Sequence, residues 1–160
     1  MKKIVFHIQC LERGGAERVV TNLAGQFVNH GYEVYIATES QGENEYETDP
    51  KIHRIHVGLT PEQESDGRVK KFLDRIINLR RFLKQTQPDI VIAFARKANY
   101  RALLLYCHQT GSSLSCLILT AHGMTRSLGS DHGNVYILRR LNAAKVDIKA
   151  VGKHQHSAVL

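Results

Sequence analysis

At 160 residues the chain holds one domain's worth of sequence, enough to bury a core without disulfide or metal staples. A hydrophobic share of 42% and a charged share of 23% are those of an ordinary globular protein. No run reaches the ~20 apolar residues of a membrane helix, and MKKIVFHI is followed by no small-residue cleavage site of the kind that marks a signal peptide. The formal charge of +7 points to an anionic partner: phosphate, acidic glycan, lipid headgroup or nucleic acid.

Ile4-Val5-Phe6, continuing to Ile8, has the β-branched and aromatic make-up of a buried first strand. A polar loop ends in Gly14-Gly15. Ala16, Val19, Val20, Leu23, Ala24 and Phe27 then recur at i, i+3, i+4 spacing, the pattern of an amphipathic helix. His30-Gly31 stops it, with Gly31 as a left-handed cap. A second strand is expected over Glu33 to Thr38. Ser40 to Lys51 is polar, carries Pro50, and reads as an exposed loop. Ile52 to Val57 alternates apolar and polar, as a half-buried edge strand does, and Gly58 to Gly67 is loop again.

Arg68 to Gln85 is the longest periodic segment. Val69, Phe72, Leu73, Ile76, Leu79 and Leu83 share one face, expected to pack on the sheet. Arg68, Lys70, Lys71, Arg75, Arg80, Arg81 and Lys84 coat the other, with Asp74 the only acid. Pro88 ends the helix, and Asp89 to Phe94 is a continuous apolar strand buried on both faces. Lys97 to Gln109 is a further helix closed by Gly111, and Cys116 to Ala121 is another buried strand, followed by His122-Gly123. Met124 to Gly133 reads as loop, Tyr136 to Ala144 as a short helix, Val146 to Val151 as a sixth strand, and Gly152 onward as a helix start. The last five residues carry no stop signal, so a longer protein is expected. Strands alternating with helical crossovers define an α/β, doubly wound parallel sheet of about six strands. Right-handed crossovers favour the order 3-2-1-4-5-6.

The chemistry is narrower than the composition suggests. Cys10, Cys107 and Cys116 are scattered, form no CxxC pair, and read as reduced thiols of a cytoplasmic protein. His154 and His156 are two residues apart, a spacing that does not share a helix side, and no HExxH occurs, so no metal site is expected. A dinucleotide site needs GxGxxG after the first strand. The chain offers only Gly14-Gly15, although Glu39 stands where a ribose-binding carboxylate belongs. What the two glycines provide is a turn free of Cβ atoms at a helix N-terminus, where N–H groups and the helix dipole favour an anion or a hydroxyl-rich ligand. A tight strand-to-helix turn with no ligand explains the same pair equally well.

Gly14-Gly15-Ala16-Glu17-Arg18, directly after a first strand, resembles the GGAER-type signature of GT-B glycosyltransferases, in the retaining family 4 group. Four further stretches agree in order. HGYEVYIAT (His30 to Thr38) is similar to the family's second strand and its entry. QPDIVIAF (Gln87 to Phe94) is similar to its kPDIVh strand. LTAHG (Leu119 to Gly123) resembles the strand end that places a histidine in the cleft, and Asn142 to Leu160 resembles the ADxVIAVSxxxxxxL segment, with Gly152 where serine is usual.

The resemblance covers the whole chain and implies an N-terminal, acceptor-side Rossmann-like domain over 1–160, one half of a GT-B architecture. In that setting Gly14 and Gly15 match the loop that lies against the donor diphosphate and the acceptor. His122 matches the histidine at the reacting centre and is the catalytic candidate. Arg96, after the fourth strand, faces the same crevice and is a candidate contact for an anionic group. The family's Glu-x7-Glu motif and the cations that neutralise the departing diphosphate belong to a second, donor-binding domain that these residues do not supply, so the chain alone is expected to be inactive. No cofactor or metal is implied; the donor is a nucleotide-diphosphate sugar and the acceptor a cell-envelope glycan or lipid-linked sugar. The basic 68–85 helix suits an anionic membrane surface, which would make the protein peripheral on the inner face of the membrane. Nucleic acid is not an expected partner, since the basic residues lack interleaved aromatics. The alternative is a non-catalytic α/β module that binds phosphate or nucleotide through the same loop.

Overall fold

The computed structural model describes residues 1–94, 96–108, 116–120, 135–142 and 145–151, and side chains as far as Leu105 apart from those of residues 96 and 103. The elements in chain order are β1 (Lys3–Ile8), α1 (Gly15–Asn29), β2 (Glu33–Thr38), β3 (His53–His56), α2 (Arg68–Thr86), β4 (Ile90–Phe94), α3 (Arg96–His108), β5 (Cys116–Thr120), β6 (Val135–Asn142) and β7 (Lys145–Val151). A single 3-10 turn, Gln63–Ser65, interrupts the loop before α2.

The strands form one sheet in the order β3-β2-β1-β4-β5-β6-β7. The first five are parallel, which is the doubly wound, Rossmann-like arrangement expected. β1 is paired on both sides, by β2 and by β4, and every residue from Ile4 to Ile8 is buried. That is why it reads as an apolar run, broken only by His7, and not as an alternation. The helices stop where the backbone turns left-handed. Gly31 at φ 80° follows α1, and Gln87 at φ 48° follows α2, with Pro88 unable to continue the helix.

Two apolar layers sandwich the sheet. On one face Val20 and Ala24 of α1 pack on Ile4, Phe6, Ile8, Val34, Ile36, Ile92 and Phe94. On the other, Leu79, Phe82 and Leu83 of α2 with Ala102 and Leu105 of α3 pack on Val5, Ala37, Val91 and Ala93. Burying each of the larger side chains contributes about 1.5–3 kcal/mol, which makes these layers the main source of stability.

The structure differs from the sequence reading in three places. Of Tyr136 to Ala144, expected as a short helix, the part to Asn142 falls in the strand β6, which pairs antiparallel with β5, and residues 143–144 lie outside the described residues. Val-Tyr-Ile-Leu suits either element by composition, but the strand register sets Leu138, Ile137 and Tyr136 opposite Leu117, Ile118 and Leu119, so each apolar residue meets an apolar partner position. The expected sixth strand over Val146 to Val151 is therefore the seventh, β7, antiparallel to β6. In β3 all four residues are exposed, and the buried apolar residues are its flanks, Ile52 and Val57; it is the edge strand, paired on one side alone, by β2.

The third difference is α2. Of the six residues expected on its packed face, Leu79 and Leu83 are in the core, joined by Phe82, while Val69, Phe72 and Leu73 are exposed. A helix of 19 residues rises about 1.5 Å per residue, some ~28 Å in all. A strand of 5 residues such as β4 runs only about 17 Å. α2 leaves the carboxyl edge of the sheet and returns to its amino edge, so its second half lies over the sheet and its first half runs past the edge.

Candidate functional site

Because β1, β2, β4 and β5 are parallel, the loops after them open on one edge, where ligands of open α/β sheets gather. The loop after β1 crosses that edge and is anchored rather than free. Leu11 is fully buried. Its carbonyl accepts a hydrogen bond from the Tyr46 N–H at 2.9 Å, and its own N–H donates to Glu45 Oε1 at 3.3 Å. The same oxygen accepts from the Gly42 N–H at 3.0 Å, and the Arg54 guanidinium donates to Oε2 at 2.5 Å. Burial pushes the Glu45 carboxyl up, but the Gly42 and Leu11 N–H groups and Arg54 outweigh it and hold the group below its ordinary value.

Gly14 is the N-cap of α1, with φ −137° and ψ 173° and no side-chain cap. Gly15 opens the helix. Neither has a positive φ, so the backbone does not itself demand glycine at either position. A Cβ on Gly14 would run into the Glu17 carboxylate, which folds back over it, whereas a Cβ on Gly15 would project into open space. The two glycines thus expose bare backbone beside a carboxylate, at a helix start whose first N–H groups have no intrahelical partner.

Beneath this edge lies a cluster of charge that the sequence reading did not assemble. His7 is fully buried in β1, between Ala37 of β2 and Ala93 of β4 in the register. Those two alanines leave room for the imidazole, and for Arg101 of α3 above it. Glu39, directly after β2, places Oε1 3.2 Å from His7 Nε2 and in contact with Arg101 Nη1. Glu39 is 8% and Arg101 6% exposed. His7 Nε2 and Arg101 Nη1 thus converge on one carboxylate oxygen. Burial pushes the Glu39 carboxyl up, but His7 and then Arg101 outweigh it and hold it below its ordinary value of 4.5. A carboxylate enclosed in this way cannot serve as the ribose ligand that its place after β2 would allow. The signals for the cluster were a polar residue in an otherwise apolar strand and an arginine between Ala98, Ala102 and Leu105, all buried. Neither identifies its partner.

The remaining candidates divide. Arg96 is the first residue of α3, directly beyond β4, so its backbone stands at the same edge as the glycine loop of neighbouring β1; its side chain is outside the described residues. His122 also lies outside them. A groove of about 910 Å³ lies elsewhere, on the flank between β3 and α2, lined among others by Val57, Leu59, Asn78, Arg81 and Phe82. Among the described residues no three His, Cys, Asp or Glu side chains stand together as a metal site would require, and no helix is long and apolar enough to cross a membrane.

Comparison with known proteins agrees with this architecture. The sequence model of Glycosyltransferase Family 4 matches residues 13–155. No curated protein matches the chain. Among solved structures the chain is similar to sucrose-phosphate synthase from Thermosynechococcus elongatus, with a TM-score of 0.52 and 14% identity over 68% of this chain and 31% of that one. It is also similar to WaaG, a glycosyltransferase involved in lipopolysaccharide biosynthesis, with a TM-score of 0.47 and 19% identity over 57% of this chain and 23% of that one. A UDP-galactose 4-epimerase follows at a TM-score of 0.33 and 16% identity, over 61% of this chain and 39% of that one. At 14% identity the likeness to sucrose-phosphate synthase is one of fold, and the chain spans well under half the length of each of these proteins.

Proposed function

The chain belongs to Glycosyltransferase Family 4, and from that premise we propose that it is the acceptor-side, N-terminal domain of a retaining, nucleotide-sugar-dependent glycosyltransferase that acts on a cell-envelope glycan or lipid-linked sugar. The observation that carries this reading beyond the family match is the bare backbone at Gly14-Gly15. A glycine at Gly15, where the φ is not positive and a Cβ would project into open space at the carboxyl edge, supports a ligand that approaches the main chain closely. The Glu17 carboxylate over Gly14 supports the acceptor as that ligand, because it accepts hydrogen bonds from hydroxyl groups and repels a diphosphate.

In this reading the diphosphate is neutralised from a second domain, whose cations stabilise the charge that develops as it leaves. Arg96 meets an anionic group at the edge, and His122 serves the reacting centre as hydrogen-bond donor or acceptor. The Glu39–His7–Arg101 cluster stays out of the chemistry and holds α3 against β1 and β2, which fixes where α3 begins. No metal or cofactor enters.

The test is Gly15→Ala in the full-length enzyme. Alanine is compatible with the helical start and has room, so stability should be unchanged or raised by up to about 1 kcal/mol. Sugar transfer should fall, on the order of tenfold or more, if a ligand lies on that backbone. Full activity with the extra methyl group would remove the reading. Tight nucleotide binding by the chain with no transfer to any acceptor would instead favour a non-catalytic binding module.

A further inference from the structure

The loop between β1 and the glycine pair is held by a carboxylate from elsewhere in the chain. Between Ile8 and Gly15 only Leu11 is buried, so the core grips this loop at one side chain. Leu11 stands three residues before Gly14, with the exposed Glu12 and Arg13 between them. On the far side α1 holds Gly14, whose carbonyl accepts from the Arg18 N–H at 3.1 Å. Whatever fixes the main chain at Leu11 therefore sets where the glycine backbone stands on the near side.

Glu45, 34 residues beyond Leu11, does this with both of its oxygens. Oε1 accepts from the N–H groups of Leu11 at 3.3 Å and Gly42 at 3.0 Å, and Oε2 accepts from Arg54 of β3 at 2.5 Å. The side chain is only 10% exposed. Beside it, Glu12 and Glu45 pair as an isolated antiparallel bridge, and the Tyr46 N–H donates to the Leu11 carbonyl at 2.9 Å. One carboxylate thus joins the β1–α1 loop, the β2–β3 loop and the edge strand of the sheet.

Three donors face Glu45, and an ionised carboxylate meets that demand because its oxygens accept and donate nothing. Glutamine has the same size, but its NH2 group would stand against either the two N–H groups or Arg54, leaving donors unpaired in a nearly closed place. Gly42 completes the seat, since a Cβ there would collide with the Glu12 side chain. Both Glu45 oxygens are taken up by these donors, so the residue is not itself placed to bind a ligand. We propose that Glu45 is a positioning residue: it holds the β1–α1 loop where the backbone of Gly14 and Gly15 meets the acceptor, and so sets acceptor affinity without touching the acceptor. The identity of that ligand rests on the proposed function; the hold on the loop rests on the hydrogen bonds alone.

Glu45→Gln in the full-length enzyme tests this with two readouts. The first needs no turnover. Cys10 is a half-buried free thiol next to Leu11. Iodoacetamide should alkylate it about fivefold faster in the variant, followed by peptide mass spectrometry, because the loop opens more often. The second is kinetic. KM for the acceptor should rise roughly tenfold while KM for the nucleotide sugar and kcat stay near the parent values, since a displaced loop misplaces one substrate. Arg54→Met removes one donor and leaves two N–H groups on Glu45, so it should shift both readouts the same way by about twofold. It also carries the test should Glu45→Gln fail to fold. Glu47→Gln, exposed in the same loop, should shift neither. Unchanged alkylation of Cys10 in both variants overturns the hold on the loop. A lowered thermal midpoint with acceptor KM unchanged makes Glu45 merely structural and overturns the positioning role. If acceptor KM ignores Glu45→Gln but Gly15→Ala lowers transfer, this inference falls and the proposed function stands. If neither variant affects transfer, the proposed function fails and the positioning role with it.

Discussion

Beneath α3 the interior holds three charged or chargeable side chains, while the outer face of the first half of α2 holds four apolar ones. Each region breaks the inside–outside rule, in opposite directions. The interior exception is satisfied on the spot: Glu39 lies against His7 and Arg101, and its carboxyl is held low by them against the push of burial. The exterior exception has no such closure, because Val69, Phe72, Leu73 and Ile77 remain 41–75% exposed. A buried charge must find its partner within the fold or the fold fails. An exposed apolar row can wait for a partner outside.

The comparison is broken most forcefully at Arg101. Arg101→Met removes the cation and leaves Glu39 buried without it, and should destabilise the protein by about 3–5 kcal/mol in urea unfolding. Adding Glu39→Gln should recover part of that loss, because the two side chains are in contact and their effects do not add. A double variant no more stable than Arg101→Met would show that the pair does not interact.

A second measurement sets the two halves of α2 against each other. Leu79→Ala, in the core, should cost about 2–5 kcal/mol, while Leu73→Ala, six residues earlier on the projecting half, should stay within about 0.5 kcal/mol. Equal losses would mean that the projecting half is covered in solution, and the contrast between the regions would disappear.

The smallest effect concerns pH. Glu39 has a lowered carboxyl value in the folded state, so its contribution to stability is fully present above the ordinary value of 4.5. That contribution fades as pH falls below it toward the lower folded value. Glu39→Gln should therefore flatten the acid limb of the stability profile measured by chemical denaturation. An acid limb of unchanged slope would place the loss of stability in other carboxylates, with Glu45 the next to examine, since its carboxyl is also held low.

Much of the architecture was legible in advance because it follows from local periodicity. Ile4 to Ile8, apolar but for His7, and Ile90 to Phe94 do not alternate because parallel strands bury both faces, and β1 and β4 lie side by side in the sheet. The helical rows of α1 and α2, closed at Gly31 and before Pro88, place the crossovers, and the handedness of crossovers then orders the parallel strands. The glycine pair was equally visible. Its meaning was not, since a ligand floor and an empty tight turn have the same sequence. Only the structure shows that neither φ is positive and that the space beyond Gly15 is open.

What only the tertiary structure decided is what lies against each element. Period 3.6 defines a helix face but carries no information on how far the neighbouring sheet extends, so the row through Val69 and Leu83 reads as one surface although the sheet covers only its second half. Tyr136 to Leu141 has the composition of either a helix or a strand, and pairing with β5 chose the strand. His7, Glu39 and Arg101 are far apart in the chain, on a strand, a strand end and a helix. Their mutual neutralisation exists only because the small Ala37 and Ala93 on the adjacent strands leave space where the three can meet. Local pattern records which face of an element is apolar; the distance to the next element, which the pattern does not contain, decides whether that face is core or surface.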